Sequence, residues 1–421
     1  MYDEMEKRMI CKSNSINKKI TEEREISIAG NYDVIVAGAG VAGVSAALAA
    51  ARLGSKVLIV EKSVMPGGLA TLGLIAIYLP LCDGNGRKLI GGISEELLLD
   101  SIKYGYDNLP DEWRQNTGEI KNTRKRYQTQ FSPPEFILAM EEKLIAEGID
   151  IIYDTIFSDV IIKDKKCTGI IVENKSGRSV YSCKMTVDAT GDSDVMNRAG
   201  AACVEQTNRL SFWWYETNLD AMKKAADTGD VMQGIKLRST DESGFNKNAP
   251  GNSQRFIGTD GKEVSDYIIK SRHMVLERLK KRDRKKESFL TFPGMAQLRT
   301  TRRIDGLYTL TENDEGSAFD DSVGCAGDWR KAGPVYEVPY RALISKDVEN
   351  VIAAGRNISS AGDAWEVTRV IPVAAMTGEA AGTAASMACS DGVSLQELNS
   401  EKLQNELKSN GILIHIKKDK I

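Results

Sequence analysis

The sequence predicts an α/β fold with a parallel central sheet and a β-meander, interrupted by an inserted α+β part. Three observations predict it. From Tyr32 to Glu61 a buried strand, a tight glycine turn, an Ala-rich helix and a second strand follow one another. Two later stretches, 185–194 and 351–372, again run a buried strand into small residues and a helix start. Between the first and second of these, three alternating segments are separated by short turns, the pattern of antiparallel neighbours.

Asp33–Ala37 is the short apolar, β-branched run of a central parallel strand. It leads into Gly38, Ala39, Gly40, Val41, Ala42 and Gly43. Gly38 permits the sharp turn, Gly40 lets backbone approach a diphosphate without a Cβ in the way, and Gly43 lets the helix lie close on the sheet. The diphosphate would rest on the helix N-terminus, where free N–H groups and the helix dipole both favour an anion. The helix spans about Val41–Leu53, with Gly54 placed to cap it, and Lys56–Val60 is the second strand. Glu61, next to Lys62, falls at that strand's carboxyl end, 18 residues after Gly43. A carboxylate there can accept hydrogen bonds from both adenosine ribose hydroxyls, and it argues against a 2′-phosphate.

Residues 1–24 read as a flexible lead, and Glu25–Ile28 as an added edge strand. After Glu61, Pro66, Gly67 and Gly68 make a turn, and Leu69, Thr71 and Gly73 follow in a small-residue stretch whose backbone amides can face a flat ligand. Asp83–Gly86 is a hairpin signal, Ser94–Tyr104 a helix, Asn108–Arg126 polar and irregular, Phe136–Glu147 an amphipathic helix and Asp150–Tyr153 a strand. The meander is Phe157–Lys163, Cys167–Asn174 and Ser179–Met185. A separate buried strand, Met185–Ala189, then enters Thr190-Gly191-Asp192 and a helix start at Ser193 or Asp194. Residues 205–338 carry no nucleotide signature and read as the inserted substrate domain. Within it, Ser211–Asn218 is a strand whose Trp213-Trp214 pair suits core packing, Asp266–Lys281 is helical, and Arg299, Arg302 and Arg303 punctuate a further strand. Finally Val351–Ala354 is a buried strand, Gly355, Arg356 and Asn357 turn at its end, and Pro372 sits in the first turn of a helix reaching about Ala388. Three turns converging on one edge imply one long ligand. The organisation is thus 25–204 with 339–395 as the nucleotide-binding domain, 75–133 partly bordering the active site, 205–338 inserted, and 396–421 a tail.

The chain of 421 residues is long for one domain, and a net charge of −3 suggests neither a nucleic-acid nor a membrane-surface partner. The basic run 277–287 is punctuated by acids and reads as a solvated helix end. Seven cysteines without a CxxC pair exclude the obvious zinc, iron–sulfur and redox-disulfide spacings and fit a reducing cytosol. A polar start and the lack of a spanning apolar stretch predict a cytoplasmic protein. The histidines are His273 and His415.

From about Glu25 to Ala388 the chain resembles the two-domain FAD-dependent oxidoreductases of the fumarate-reductase and glutathione-reductase type, within the broad branch of FAD-dependent oxidoreductases. VIVAGAGVAGVSAALAAARLG with Glu61 is similar to that branch's amino-terminal fingerprint, PGGLATLG to its flavin-contacting loop, VDATGDSDVMNRAGA to its middle motif, and NVIAAGRNIS with RVIPVAAMTGEAAGTAA to its carboxyl-terminal one. The resemblance implies a Rossmann-type FAD-binding domain. It puts Gly38, Gly40 and Gly43 on the pyrophosphate, Glu61 on the AMP ribose and the turn at Thr155, Ile156 and Phe157 past the adenine. Ala189, Thr190 and Gly191 belong to the same site, and Gly355, Arg356 and Asn357 lie along the ribityl-phosphate region. The helix beginning near Ile371, with Pro372 and Ala375, aims its N-terminal amides at the pyrimidine edge of a noncovalently bound flavin, with Arg369 just before it. Many relatives carry a histidine immediately before the Gly-Pro that precedes the YEVPYRAL-like segment. Here that residue is Ala332.

The resemblance implies hydride transfer between FAD and a small polar organic metabolite, by a dehydrogenase or oxidase. The candidates for handling a proton or clamping substrate are Arg330, Tyr336, Arg341, Glu366 and Arg369. Two alternatives stand beside it, a fumarate-reductase-like ene-reductase and an FAD-binding electron-transfer or structural subunit. NAD(P)H or a separate electron carrier would be the redox partner, and oligomeric state is left open.

Overall fold

The computed structural model describes residues 20–114, 126–241 and 254–416. The expected lead through residue 19, residues 115–125 of the polar stretch and residues 417–421 of the tail lie outside them.

β1 (Ser27–Ala37) is one unbroken strand, so the expected edge strand at Glu25–Ile28 is its exposed beginning. From Val34 onward every residue is buried, because there the strand enters the parallel part of the sheet. α1 (Val41–Arg52) and β2 (Val57–Val60) complete the first unit. α2 (Gly92–Ser101) and α3 (Pro133–Ala146) precede β3 (Asp150–Ile152). The meander is β4 (Ile156–Lys163), β5 (Lys166–Asn174) and β6 (Gly177–Asp188). β7 (Ser322–Gly327), β8 (Val335–Pro339), β9 (Val351–Ala353), α4 (Gly362–Thr368), α5 (Ile371–Asp391) and α6 (Ser400–Ser409) follow.

The main sheet has the order β3-β2-β1-β6-β5-β4, with β9 also paired to β6. β1 pairs β2, β2 pairs β3, and β6 pairs β9 in parallel, whereas β4–β5–β6 is antiparallel. The two strands expected at Ser179–Met185 and Met185–Ala189 are therefore the two halves of β6, a single strand of 12 residues. Its first half closes the meander and its second half joins the parallel core. This brings three carboxyl ends together: the Ala189 N–H donates to Ala37 O at 3.0 Å and the Ala354 N–H to Asp188 O at 3.0 Å.

α1 and α5 pack with nothing between their backbones. A Cβ on Gly378 would lie 2.2 Å from Ala42 O, and one on Gly382 2.0 Å from Ala46 O. The Ser45 Oγ donates to Ala375 O at 2.7 Å in the same contact. α5 also supplies the cap of α2: Glu379 Oε2 accepts the Ile93 N–H at 2.7 Å, a side chain from far along the chain satisfying an orphan donor at a helix start.

Contacts divide the chain into two units. The smaller comprises Thr207–Phe292 and Ala296–Leu298, with the described residues before Ile28. In it the strand Ser211–Asn218 lies between Lys236–Asp241 and Glu287–Thr291, antiparallel to both. Trp214 is buried and stacks on Phe289, their ring centroids 5.9 Å apart, so the core reading of the tryptophan pair holds for Trp214, while Trp213 is half-buried. The helix Gly261–Leu279 starts earlier than its apolar pattern indicates, because Asp260 caps it by accepting from the Lys262 and Glu263 amides. Residues 299–338, placed by sequence in the inserted part, fold with the larger unit. Arg302–Ile304 pairs antiparallel with Cys203–Glu205, β7 pairs with β8, and Gly324 of β7 approaches Met376 of α5 so closely that a Cβ there would be 2.5 Å from its sulfur. The expected tail is likewise packed in its described part: Leu403 and Leu407 of α6 are buried, and the Ser322 Oγ donates to Ile414 O at 2.6 Å.

Two outcomes are expected from this packing. Gly382→Ala forces a methyl into the Ala46 carbonyl and should lower urea-measured stability by about 1–3 kcal/mol. An unchanged midpoint would mean the helices are free to separate. Burial pushes the Glu379 carboxyl up to about 7. Its folded pKa is above the ordinary carboxylate range, so its contribution to stability is full below that range and is lost as pH rises through about 7. Glu379→Gln should therefore flatten the pH dependence of thermal stability between pH 5 and 8, by roughly 2 kcal/mol, and parallel curves for the two proteins would refute the assignment.

Candidate functional site

At the carboxyl ends of β1, β6 and β9 lies a cavity of about 640 Å³, lined wholly by residues of the larger unit. Ligands of open parallel sheets bind at this edge, and the volume is within the range of cofactor sites. The first wall is the turn after β1. Gly38 has φ +99°, and a Cβ on it would be 2.6 Å from Ala189 O, while one on Gly43 would be 1.9 Å from Gly38 O. Around Gly40 an added Cβ would meet nothing within 4 Å, so this is the glycine that faces the cavity. Gly40 caps α1 without a side chain, and no acid occupies the first turn, so its N-terminal amides remain available to an anion. A second glycine loop lies alongside: the Gly67 N–H donates to Ala39 O at 2.7 Å, and Gly67 and Gly68 have φ of +101° and +53°. Thr71 fixes this loop by donating its hydroxyl to Pro66 O at 2.6 Å.

Glu61 is buried behind the first turn. Its Oε2 accepts the Ala39 N–H at 2.7 Å and its Oε1 the Ser63 N–H at 2.8 Å, so one carboxylate holds the glycine turn and the start of the next loop. The Thr155 N–H donates to Glu61 O at 3.1 Å, bringing the turn at Thr155–Phe157 to the same end.

The second wall is the turn after β6, organised by Asp188. This fully buried carboxylate accepts the Thr190 hydroxyl at 2.7 Å and the Met196 N–H at 2.9 Å, and burial pushes its pKa up to about 6. The third wall is the turn after β9, tied to the second by charge. The Arg356 Nε donates to Gly191 O at 2.6 Å and its Nη2 to Asp192 Oδ1 at 2.5 Å, while the Asn357 Nδ2 donates to Asp188 O at 3.0 Å. α5 begins here with Val370 as an N-cap that makes no side-chain bond and no acid in its first turn, a second helix start open to the cavity.

Of the residues expected at a cofactor, Gly38, Gly40, Val41, Ala42, Glu61, Lys62, Gly67, Gly68 and Leu69 line the cavity. So do Ile156, Ala189, Thr190, Gly191, Gly355, Arg356, Arg369 and Ile371. Ala39, Gly43, Thr71, Pro372 and Ala375 are not in the wall. Ala39 and Thr71 brace the loops, Gly43 permits the turn-to-helix contact, Ala375 accepts from Ser45, and Pro372 begins α5. Sequence reasoning did not single out Leu72, Gly294 or Met295, which also line the cavity and are joined by the Gly294 N–H donating to Leu72 O at 2.8 Å. The glycine of Pro293-Gly294-Met295 was the local signal, but nothing local says which turn it meets.

The chemical candidates are separated by the fold. Arg330 is spent on Asp328, which it grips through Nε at 3.0 Å and Nη2 at 2.9 Å, and on Asp363 at 3.0 Å. Arg341 pairs with Asp321 at 2.9 Å on the exterior. Tyr336 is buried in β8, and desolvation pushes its pKa up to about 12. None of these three lines the cavity; Arg369 does. Its Nε donates to Glu366 Oε2 at 3.0 Å, its Nη2 bonds the same oxygen, and its side chain is 15% exposed. Burial, reinforced by the Arg299 and Arg356 charges, pulls its pKa down from the usual arginine range. Ala332 is exposed against the Asp83–Gly84 loop, where the Gly333 N–H donates to Asp83 O at 2.8 Å. His273 lies on the helix of the smaller unit and His415 pairs with Glu337 at 3.0 Å, so neither reaches the cavity.

Three strand-end turns and two uncapped helix starts around one cavity define a Rossmann-type dinucleotide-binding protein. A family model described as FAD dependent oxidoreductase matches residues 33–212 and 205–407. The chain belongs to this family; it is an FAD-dependent oxidoreductase, an enzyme with FAD as its cofactor. Among solved structures it is similar to p-nitrophenol 4-monooxygenase from Pseudomonas putida DLL-E4, at 12% identity over 90% of this chain and 88% of that one, with a TM-score of 0.51. That likeness is one of fold. A geranylgeranyl bacteriochlorophyll reductase-like protein from Thermoplasma acidophilum matches at 14% identity over 91% and 92% of the two chains, with a TM-score of 0.46. Among the described residues no helix is long and apolar enough to cross a membrane.

Proposed function

We propose that this enzyme transfers a hydride between noncovalently held FAD and a small polar organic metabolite, as a dehydrogenase or oxidase. The observation that carries the reading is the open space at Gly40, in a cavity onto which two uncapped helix starts open. It suits a diphosphate on α1 and a ring system whose negative charge develops against α5.

In this reading Gly38, Gly40, Val41 and Ala42 hold the diphosphate by backbone alone. Glu61 accepts from the ribose with the lone pairs left after Ala39 and Ser63, and Ile156 and Phe157 cover the adenine. Gly355 and Arg356 flank the ribityl chain, while Gly67, Gly68 and Leu69 present backbone to the ring. The α5 amides from Ile371 stabilise negative charge at the ring's pyrimidine edge. No described cysteine and neither histidine lines the cavity, which supports noncovalent binding. FAD supplies a two-electron acceptor and donor when bound; the chain must orient the substrate and exclude water. A fumarate-reductase-like ene-reductase is the second reading, favoured by the half-buried Arg369 in the cavity wall. NAD(P)H or a separate carrier closes the redox cycle in either case.

The wild-type protein should be yellow, release its FAD on acid precipitation, and bleach anaerobically with the metabolite it oxidises. Glu61→Ala removes the ribose acceptor and the brace of two backbone amides together, and should weaken FAD retention by about 30-fold or more. FAD content equal to wild type, measured after gel filtration, would sink the role given to Glu61.

A further inference from the structure

The Arg369 guanidinium is a half-buried cation with its Nε and Nη2 committed to one partner. Nε and Nη2 both bond a single oxygen of Glu366, on the side of the group away from Nη1. Glu366 itself is held: the Trp329 Nε1 donates to Glu366 O at 3.0 Å, and Arg126 Nη1 donates to Trp329 O. Nη1 lies outside the pair. Glu366 balances the guanidinium through Nε and Nη2 alone, and the nearby Arg299 and Arg356 charges favour an anionic acceptor for Nη1 over a neutral one. The aspartates 192 and 194 do not fill that role, since Asp192 bonds Arg356 at 2.5 Å and Asp194 bonds Arg302 at 2.7 Å. The same cavity wall carries Leu72 and Met295, which offer apolar contact and no charge.

We propose that Arg369 is the specificity-determining residue of this site, and that its Nη1 binds the carboxylate of a small organic acid whose apolar part packs on Leu72 and Met295. Glu366 is the positioning residue that aims the guanidinium. The inference deepens the flavin-enzyme reading and rests on it for the identity of the ligand as substrate. A planar, bidentate-capable donor is suited to a carboxylate, and a single outward nitrogen suits one anionic group.

The test uses the FAD-loaded protein with benzoate as the anionic probe and benzamide as its neutral counterpart, each titrated by calorimetry. Benzoate should bind at least about 30-fold more tightly than benzamide, the scale of a charge-assisted hydrogen bond in a partly desolvated site. Arg369→Gln should abolish that preference while leaving FAD content and benzamide binding unchanged. Arg369→Lys should keep part of it, and Glu366→Gln should reduce the benzoate-to-benzamide ratio without changing thermal stability to a matching degree. Equal binding of the two probes to wild type would overturn the proposal, as would undiminished benzoate binding in Arg369→Gln. Loss of FAD in Arg369→Gln would also overturn it, assigning the arginine to the cofactor. FAD content of the wild type is read separately: a wild type that holds no FAD defeats the flavin-enzyme reading, while the calorimetric comparison still scores Arg369.

Discussion

Helices α1 and α5 meet backbone to backbone, and the candidate site depends on that contact. Helices packed through ordinary side chains lie 8–10 Å apart, whereas Gly378 and Gly382 set α5 directly on the Ala42 and Ala46 carbonyls. Only with small residues on both faces can two helix N-termini open onto one cavity. Two partial positive charges then act on the same ligand, without a lysine or arginine being required to bind it. The Ala-rich composition of both helices is accordingly a consequence of geometry.

Charged side chains in this region serve mainly to build the frame. Glu61 is turned onto two backbone amides, Asp188 onto Thr190 and Met196, and Arg356 onto Gly191 and Asp192. Glu61 and Arg356 join segments remote in sequence, while Asp188 fixes the turn that follows its own strand. Arg369 differs, since it faces the cavity with one donor outside its ion pair. The distinction between framing charges and a cavity-facing charge is spatial and has no counterpart in residue type.

That is also why the sequence was legible unevenly. The glycine turn, the acid after β2, the strand-to-turn pattern at Thr190 and the helix opening at Ile371 are local signals, readable within a few residues. Arg330 is gripped by Asp328 two residues away and by Asp363 of α4, and Arg341 by Asp321, so two of the five chemical candidates leave the cavity, and neither Asp363 nor Asp321 is a partner that a spacing rule contains. The same holds for Met295, brought to the wall by Leu72, and for residues 299–338, whose strands find partners in the larger unit. β6 was split in two because its halves pair differently, antiparallel on one stretch and parallel on the next, while the chain itself does not break.

The double grip of Glu61 on Ala39 and Ser63 has a consequence for how the enzyme is loaded. Both bonds are made by the chain's own groups, so the ordering of the glycine turn that they stabilise does not fall to the cofactor. Bound FAD would add to the stability that these contacts supply, by mass action.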